Sequence, residues 1–290
     1  MKIISFMFVL VWTSLAFSQE TETEIIETES VDYVCGHETL KGVSFKYCLR
    51  DIDRRQTQDI VYYLHGLGGS EKSWFRQLFS TRIIQHRWKR NGYYPMVITV
   101  SFGKEWLLVN NRRHKLLPFF TKVAMPYLEK KVGGLKKGKR HLIGQSMGGF
   151  NALQLALKNP TLFNKVVLLC PAISTISPFA DNREVWRYIF RTKAIPFFVR
   201  KMQKISQRAF INQKDWEQHD PLLLMRNFKG RIKPKMYLSV GMADGYGFQE
   251  GSRELYKLAQ HDSFWFWWVP VFGGHCAFDR GTSANFIMGD

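Results

Sequence analysis

Gly144-Gln145-Ser146-Met147-Gly148-Gly149 decides how this chain is read. The stretch sets a serine between glycines where an apolar run, His141-Leu142-Ile143, gives way to apolar residues at helical spacing over 150–158. A serine on so tight a strand-to-helix turn takes strained backbone angles, and glycines two positions before and after it let the two elements approach closely. Such strain costs about 1–3 kcal/mol and persists where function needs it. Ser146 is therefore a candidate nucleophile, set against the plainer reading of a Gly-rich turn whose serine caps the helix.

The surrounding pattern alternates buried strands with helices. Upstream, residues 43–49 alternate apolar and polar side chains, a charged turn follows at 51–55, and Asp59-Ile60-Val61-Tyr62-Tyr63-Leu64 is a continuous apolar strand. Trp74, Phe75, Leu78, Phe79, Ile83, Ile84 and Trp88 recur at spacings of three and four, which predicts an amphipathic helix ended by Asn91-Gly92. Further strands are predicted at 96–100, 165–170, 236–240 and 264–271, the last read as buried, and further helices at 116–132 and 253–260. This rhythm implies an α/β fold: a mostly parallel central sheet covered by helices on both faces. Between Pro171 and Lys235 the rhythm changes to a basic, aromatic stretch, read as a helical insertion over the strand ends, residues 172–234, after the strand ending at Cys170.

At 290 residues with 45% hydrophobic composition, the chain can bury a sizeable core. Met1-Lys2, an apolar run over 3–17 and the small-x-small site Ala16-Phe17-Ser18 read as a secretory signal over residues 1–18, cleaved near Ser18. That run is shorter than a spanning helix needs, and no later segment replaces it. Residues 19–31 carry Glu20, Glu22, Glu24, Glu27 and Glu29 among threonines, an acidic flexible linker. The domain proper is then 32–290, exported to the periplasm or medium.

The chain has 42 Lys and Arg against 24 Asp and Glu, a net charge of +18. So basic a surface suits anionic surroundings such as acidic polysaccharide, cell-envelope lipid or nucleic acid, although a generally basic proteome would give the same balance. Lys130, Lys131, Lys136, Lys137, Lys139 and Arg140 form the densest basic patch and read as a solvated loop. Four cysteines permit disulfides in an exported protein. Cys35 with Cys48 is the favoured pair because the two bracket a short Gly-containing hairpin; Cys170 with Cys276 requires the fold to bring two strand ends together.

His65-Gly66-Leu67-Gly68-Gly69 follows the strand at 59–64. It lacks the spacing and the Lys-Ser/Thr ending of a P-loop, and its glycines do not fit a dinucleotide fingerprint. The favoured reading is that its backbone N–H groups form half of an oxyanion hole, as the corresponding loop does in α/β-hydrolases. A catalytic serine also needs an imidazole to take its proton and a carboxylate to orient that imidazole, in the order Ser, Asp or Glu, His. Asp244, in Gly241-Met242-Ala243-Asp244-Gly245, and His275, after Gly273-Gly274, both lie just beyond predicted strands and in that order. Asp220 before Pro221 is a rival acid, and Asp262 and Asp279 are weaker ones.

In these residues the chain resembles the Putative esterase branch of the α/β-hydrolases, the group with esterase D-like, enterochelin esterase-like and antigen 85-like proteins. The resemblance rests on Leu64-His65-Gly66-Leu67-Gly68-Gly69, Met125-Pro126-Tyr127-Leu128-Glu129, the run 144–149, Asn159-Pro160, Asp220-Pro221 and the turns at Asp244 and His275. It implies an α/β-hydrolase fold and an esterase or acyltransferase working through an acyl-enzyme without metal or organic cofactor. It implies Ser146, His275 and Asp244 as the catalytic triad, the N–H groups of Leu67 and Met147 as the oxyanion hole, and His65, Gly66 and Gly68 as support for the loop. Two departures stand out: only fifteen residues follow His275, so a long closing helix is missing or shortened, and the insertion has no recognised substrate signature.

Cys276 reads as a packing or disulfide residue rather than a second nucleophile, and Trp106, Trp186 and Phe190 are candidates to line an acyl pocket. Three functions remain open on sequence: an esterase, an acyltransferase acting on an envelope sugar or lipid, and a non-catalytic polyanion-binding protein on the same scaffold. No specific nucleic-acid motif is present.

Overall fold

The computed structural model describes residues 33–50, 59–76, 81–103 and 108–289, which fall within one compact unit, Val31–Asp290. The leader, the acidic linker, the charged turn at 51–55, Leu78, Phe79 and Trp106 lie outside the described residues. In chain order the unit runs β1 (Tyr33–Leu40), β2 (Val43–Arg50), β3 (Ile60–Leu64), α1 (Ser73–Arg76), α2 (Thr81–Arg90) and β4 (Met96–Ser101). It continues with α3 (Leu116–Phe119), a π-helical turn (Phe120–Ala124), α4 (Met125–Lys131), β5 (Arg140–Gln145), α5 (Met147–Lys158) and β6 (Lys165–Leu169). Four helices follow: α6 (Asn182–Thr192), α7 (Pro196–Ala209), α8 (Gln213–Glu217) and α9 (Pro221–Arg226). β7 (Lys235–Gly241), α10 (Phe248–His261), β8 (Phe266–Val271) and α11 (Gly281–Met288) complete the unit.

The strands form one sheet in the order β1-β2-β4-β3-β5-β6-β7-β8. β1 and β2 join antiparallel, and every pairing from β4 to β8 is parallel. β3, β4 and β6 are buried at every position and β5 at all but its two ends, as parallel strands require because helices cover both of their faces. Alternation divides their side chains between two cores. Ile60, Tyr62, Leu64, Val166 and Leu168 pack with Phe120, Leu128, Phe150 and Leu255 on one face, whereas Val61, Tyr63, Val167 and Leu169 meet Trp74, Trp88 and Phe286 on the other. Full burial of each such aliphatic or aromatic side chain contributes about 1.5–3 kcal/mol.

Some elements depart from the sequence pattern for identifiable reasons. The helix expected over 116–132 is interrupted by the π-helical turn, and Pro126, which has no N–H to donate, stands at its downstream boundary. β8 is an edge strand rather than a buried one: with β7 as its single neighbour, Trp265 and Trp267 are left half exposed, stacked on each other, with Trp265 also stacked on Phe286 and Trp267 tilted against it. The closing helix is present but short. α11 spans eight residues and is tied to α2 by Arg87 Nε donating to Asn285 Oδ1 (2.9 Å) and Trp88 Nε1 donating to the Ala284 carbonyl (3.1 Å).

Both disulfides form. Cys35 and Cys48 are directly opposed in the β1–β2 ladder, and Cys170 bonds Cys276. Two disulfides indicate an oxidising environment. Among the described residues no helix is long and apolar enough to cross a membrane.

Candidate active site

β5 ends at Gln145 and α5 begins at Met147, so the whole reversal of direction falls on Ser146. Its backbone sits at φ 53°, ψ −113°, a conformation that costs a side-chain-bearing residue about 1–3 kcal/mol. Ser146 N–H donates to the Leu169 carbonyl (2.8 Å), and its own carbonyl accepts from Phe150 (3.1 Å) and Ala172 (2.9 Å), which holds the turn in place. The flanking glycines are required by close approach. A Cβ on Gly144 would fall 2.2 Å from the Gly148 carbonyl oxygen, and one on Gly148 would fall 1.9 Å from that of Leu64.

The parallel sheet brings three strand ends together beside this turn. Asp244 is buried just past β7, where its backbone carbonyl accepts from Gly247 and its Oδ1 accepts from the Tyr246 N–H (2.8 Å). His275 follows β8, on a loop whose Gly273 carbonyl accepts from Ala243 (2.9 Å). Asp244 Oδ2 lies 2.8 Å from His275 Nδ1, and His275 Nε2 lies 2.9 Å from Ser146 Oγ. A carboxylate only accepts, so Nδ1–H is the donor and Nε2 is left with a lone pair facing the serine hydroxyl.

Other groups fix these three. Tyr246 and Phe248 pack their rings edge-on against the His275 imidazole, at 4.7 and 5.7 Å between centroids. Burial raises the Tyr246 phenol, with the Asp244 charge adding to the effect. Cys276, next to His275, is bonded to Cys170 at the end of β6. The rival acids are engaged elsewhere. Asp220 caps α9 by accepting from the Leu222 N–H (2.8 Å), Asp279 accepts from Thr282, and Asp262 accepts from His261.

The loop after β3 lies across from Ser146. Gly66, Leu67, Gly68 and Gly69 line a cavity of about 540 Å³ together with Ser146, Met147 and His275. His65 is buried behind it, with Nδ1 donating to the Gly66 carbonyl (2.8 Å) and Nε2 accepting from Ser101 Oγ (2.9 Å). Burial holds its pKa below the ordinary value, so the ring is neutral and can play both parts. The Gly66 carbonyl also accepts from the Gly69 N–H (3.0 Å), which shapes the turn.

The sequence model of the family described as Putative esterase matches residues 45–269. The chain belongs to this esterase family. It is a carboxylic-ester hydrolase on an α/β-hydrolase fold. No curated protein matches the sequence.

Among solved structures, a ferulic acid esterase superposes on the esterase with a TM-score of 0.64 at 15% identity, covering 89% of this chain and 95% of that one. A fluorophosphonate-binding serine hydrolase of Staphylococcus aureus, FphF, gives 0.63 at 14% identity over 90% and 100% of the two chains. An S-formylglutathione hydrolase, FrmB, of the same organism gives 0.58 at 15% identity over 89% and 96%. At these identities the likeness is one of fold.

Several residues of the esterase's cavity carried no sequence signal. Lys201, Met202 and Ile205 reach it from α7, and Ala172, Tyr246 and Phe248 complete its wall. Ser101, the partner of His65, sits at the end of β4 without a motif to mark it. Trp186 and Phe190 are exposed and do not line the cavity.

Proposed function

We propose that the esterase cleaves carboxylic esters through an acyl-enzyme on Ser146. The observation that carries this reading is the hydrogen-bonded chain from Asp244 through His275 to Ser146, in the wall of a cavity large enough for a small ester. His275 Nε2 takes the Ser146 proton as Oγ attacks the ester carbonyl, while Asp244 holds the Nδ1–H tautomer and stabilises the imidazolium that forms. The tetrahedral oxyanion is held by the N–H groups of Met147, at the start of α5, and Leu67, on the loop that His65, Gly66 and Gly68 support. Such donors act on charge that appears only in the transition state, and loss of one costs about 10²–10³ in turnover. His275 returns its proton to the departing alcohol. Water, activated by the same imidazole, then attacks the acyl carbonyl and releases the acid.

Helices α6–α9 belong in this account as a cap over residues 172–234, because α7 supplies one wall of the cavity. Export fits both disulfides and the leader-like composition of residues 1–18. The test is hydrolysis of a short soluble ester. Ser146→Ala and His275→Ala should each lower kcat by orders of magnitude with little change in thermal unfolding; a Ser146→Ala variant that retains turnover would remove the assignment.

A further inference from the structure

A cluster of apolar side chains stands in solvent away from the cavity floor, at the tip where α6 runs into α7. Trp186 is 45% exposed, Phe190 75%, Ile195 46% and Phe197 68%. Helical spacing accounts for this division. Val185, Tyr188, Ile189, Ala194 and Val199 turn inward and form a small core of their own, which leaves the other aromatics outward. Trp186 and Phe190 lie one turn apart, with ring centroids 5.8 Å from each other. Exposed apolar residues scattered singly are ordinary, whereas four of them within the twelve-residue span 186–197 mark a surface with a partner.

The charges around the tip select that partner. Residues 182–209 contain eight Lys and Arg and one acid, Glu184. Arg183 and Arg187 share the exposed side of α6 with Trp186 and Phe190, and Lys201 and Lys204 follow Phe197 by one and two turns on α7. The apolar tip therefore has a cationic collar. A second copy docked symmetrically would set two such collars against each other. A hydrated polysaccharide would satisfy the cations and leave the apolar side chains in water. An anionic lipid surface satisfies both: aromatic rings seat among the headgroups while Lys and Arg reach the phosphates along their aliphatic stems.

The tip is also fixed to the site. Ile195 N–H donates to the Gly245 carbonyl and Tyr188 Oη–H to the Tyr246 carbonyl, both at 2.8 Å and both beside Asp244. Arg191 clamps Glu250 through Nε and Nη2 (2.6 and 2.7 Å). The helix that carries Phe197 lends Lys201, Met202 and Ile205 to the cavity wall.

We propose that the α6–α7 tip is a docking surface for an anionic phospholipid bilayer, which places the cavity of the esterase at the membrane interface. The test is co-sedimentation of the full chain with vesicles of phosphatidylcholine alone and of phosphatidylcholine mixed equally with phosphatidylglycerol. Wild type should bind the mixed vesicles preferentially, and salt should weaken that binding. Trp186→Ser/Phe190→Ser/Phe197→Ser and Arg183→Gln/Arg187→Gln/Lys204→Gln should each weaken it by about tenfold or more. Both variants should hydrolyse a short soluble ester as wild type does. Ser146→Ala should still bind vesicles, so the docking result stands apart from the nucleophile assignment. Equal binding by wild type and both variants would overturn the proposal, because any contribution of the first thirty residues is common to all three. Heparin binding without vesicle binding would overturn it in favour of a polysaccharide. A dimer in sedimentation analysis that the aromatic variant abolishes would overturn it in favour of self-association.

Discussion

Cys276, the residue after His275, is covalently joined to Cys170, the residue after β6, across a sequence separation of 106. The bond ties the loop of His275, the proposed base, to the centre of the sheet. Removing it with Cys170→Ala/Cys276→Ala should cost about 2–5 kcal/mol in denaturant unfolding, because so long a loop was closed by it. It should also lower kcat more than it raises KM, since His275 loses its tether. Cys35→Ala/Cys48→Ala, at the far edge of the sheet, should cost stability and leave kcat unchanged. If both pairs affect kcat alike, the tether has no part in holding the base.

Asp244 and Asp220 separate orientation of the imidazole from helix capping. Asp244→Asn leaves His275 Nδ1 without an acceptor and favours the wrong tautomer, so kcat should fall by about 10⁴. Asp220→Ala removes the cap of α9 and should cost about 1 kcal/mol of stability with kcat retained. Steady-state kinetics beside thermal unfolding distinguishes the two. A larger kcat loss at Asp220 would reassign the acid.

Gly148 is the point where β3 and α5 touch. Its missing Cβ is replaced by the Leu64 carbonyl oxygen, so Gly148→Ala must push strand and helix apart at the Ser146 turn. Soluble yield or kcat should drop by at least tenfold, about 1.4 kcal/mol or more. Ala152→Gly, one turn further along α5, should cost only about 1 kcal/mol in stability, plus any cavity left by the lost methyl.

Acid should weaken the fold in two stages. Burial holds His65, His141 and His219 below the ordinary 6.5, so the folded state keeps them neutral, and stability should be full above that pH and decline below it. Burial raises the Asp59 carboxyl, but hydrogen bonds from His141, the Lys139 N–H and Tyr93 outweigh it and hold the group at about 2 against an ordinary 3.8. Its contribution is complete above 3.8 and is lost as pH falls toward 2. Asp59→Asn should therefore be less stable than wild type at neutral pH, with the gap closing below pH 3.8. A gap that stays constant with pH would mean that Asp59 is not held ionised by these bonds.

The meeting of Ser146, Asp244 and His275 in the candidate site was legible because strand ends in a parallel sheet converge whatever the intervening chain does. Gly144 and Gly148 marked the turn, and the order of Ser146, Asp244 and His275 placed each at such an end. What could not be read depends on contacts between distant segments. Nothing local tells that Ser101 backs His65, that α7 walls the cavity, or that β8 lies at an edge and leaves Trp265 and Trp267 half exposed. The exposed Trp186 and Phe190 misled for a related reason: an aromatic residue in an insertion looks the same in sequence whether it faces a ligand or the solvent.

The central claim, that Ser146 is the nucleophile, is tested most directly by a fluorophosphonate probe followed by peptide mapping. One mole of label per mole of protein, on the peptide carrying Ser146 and absent from Ser146→Ala, is the predicted result. Label on another residue, or labelling that persists in Ser146→Ala, would contradict it.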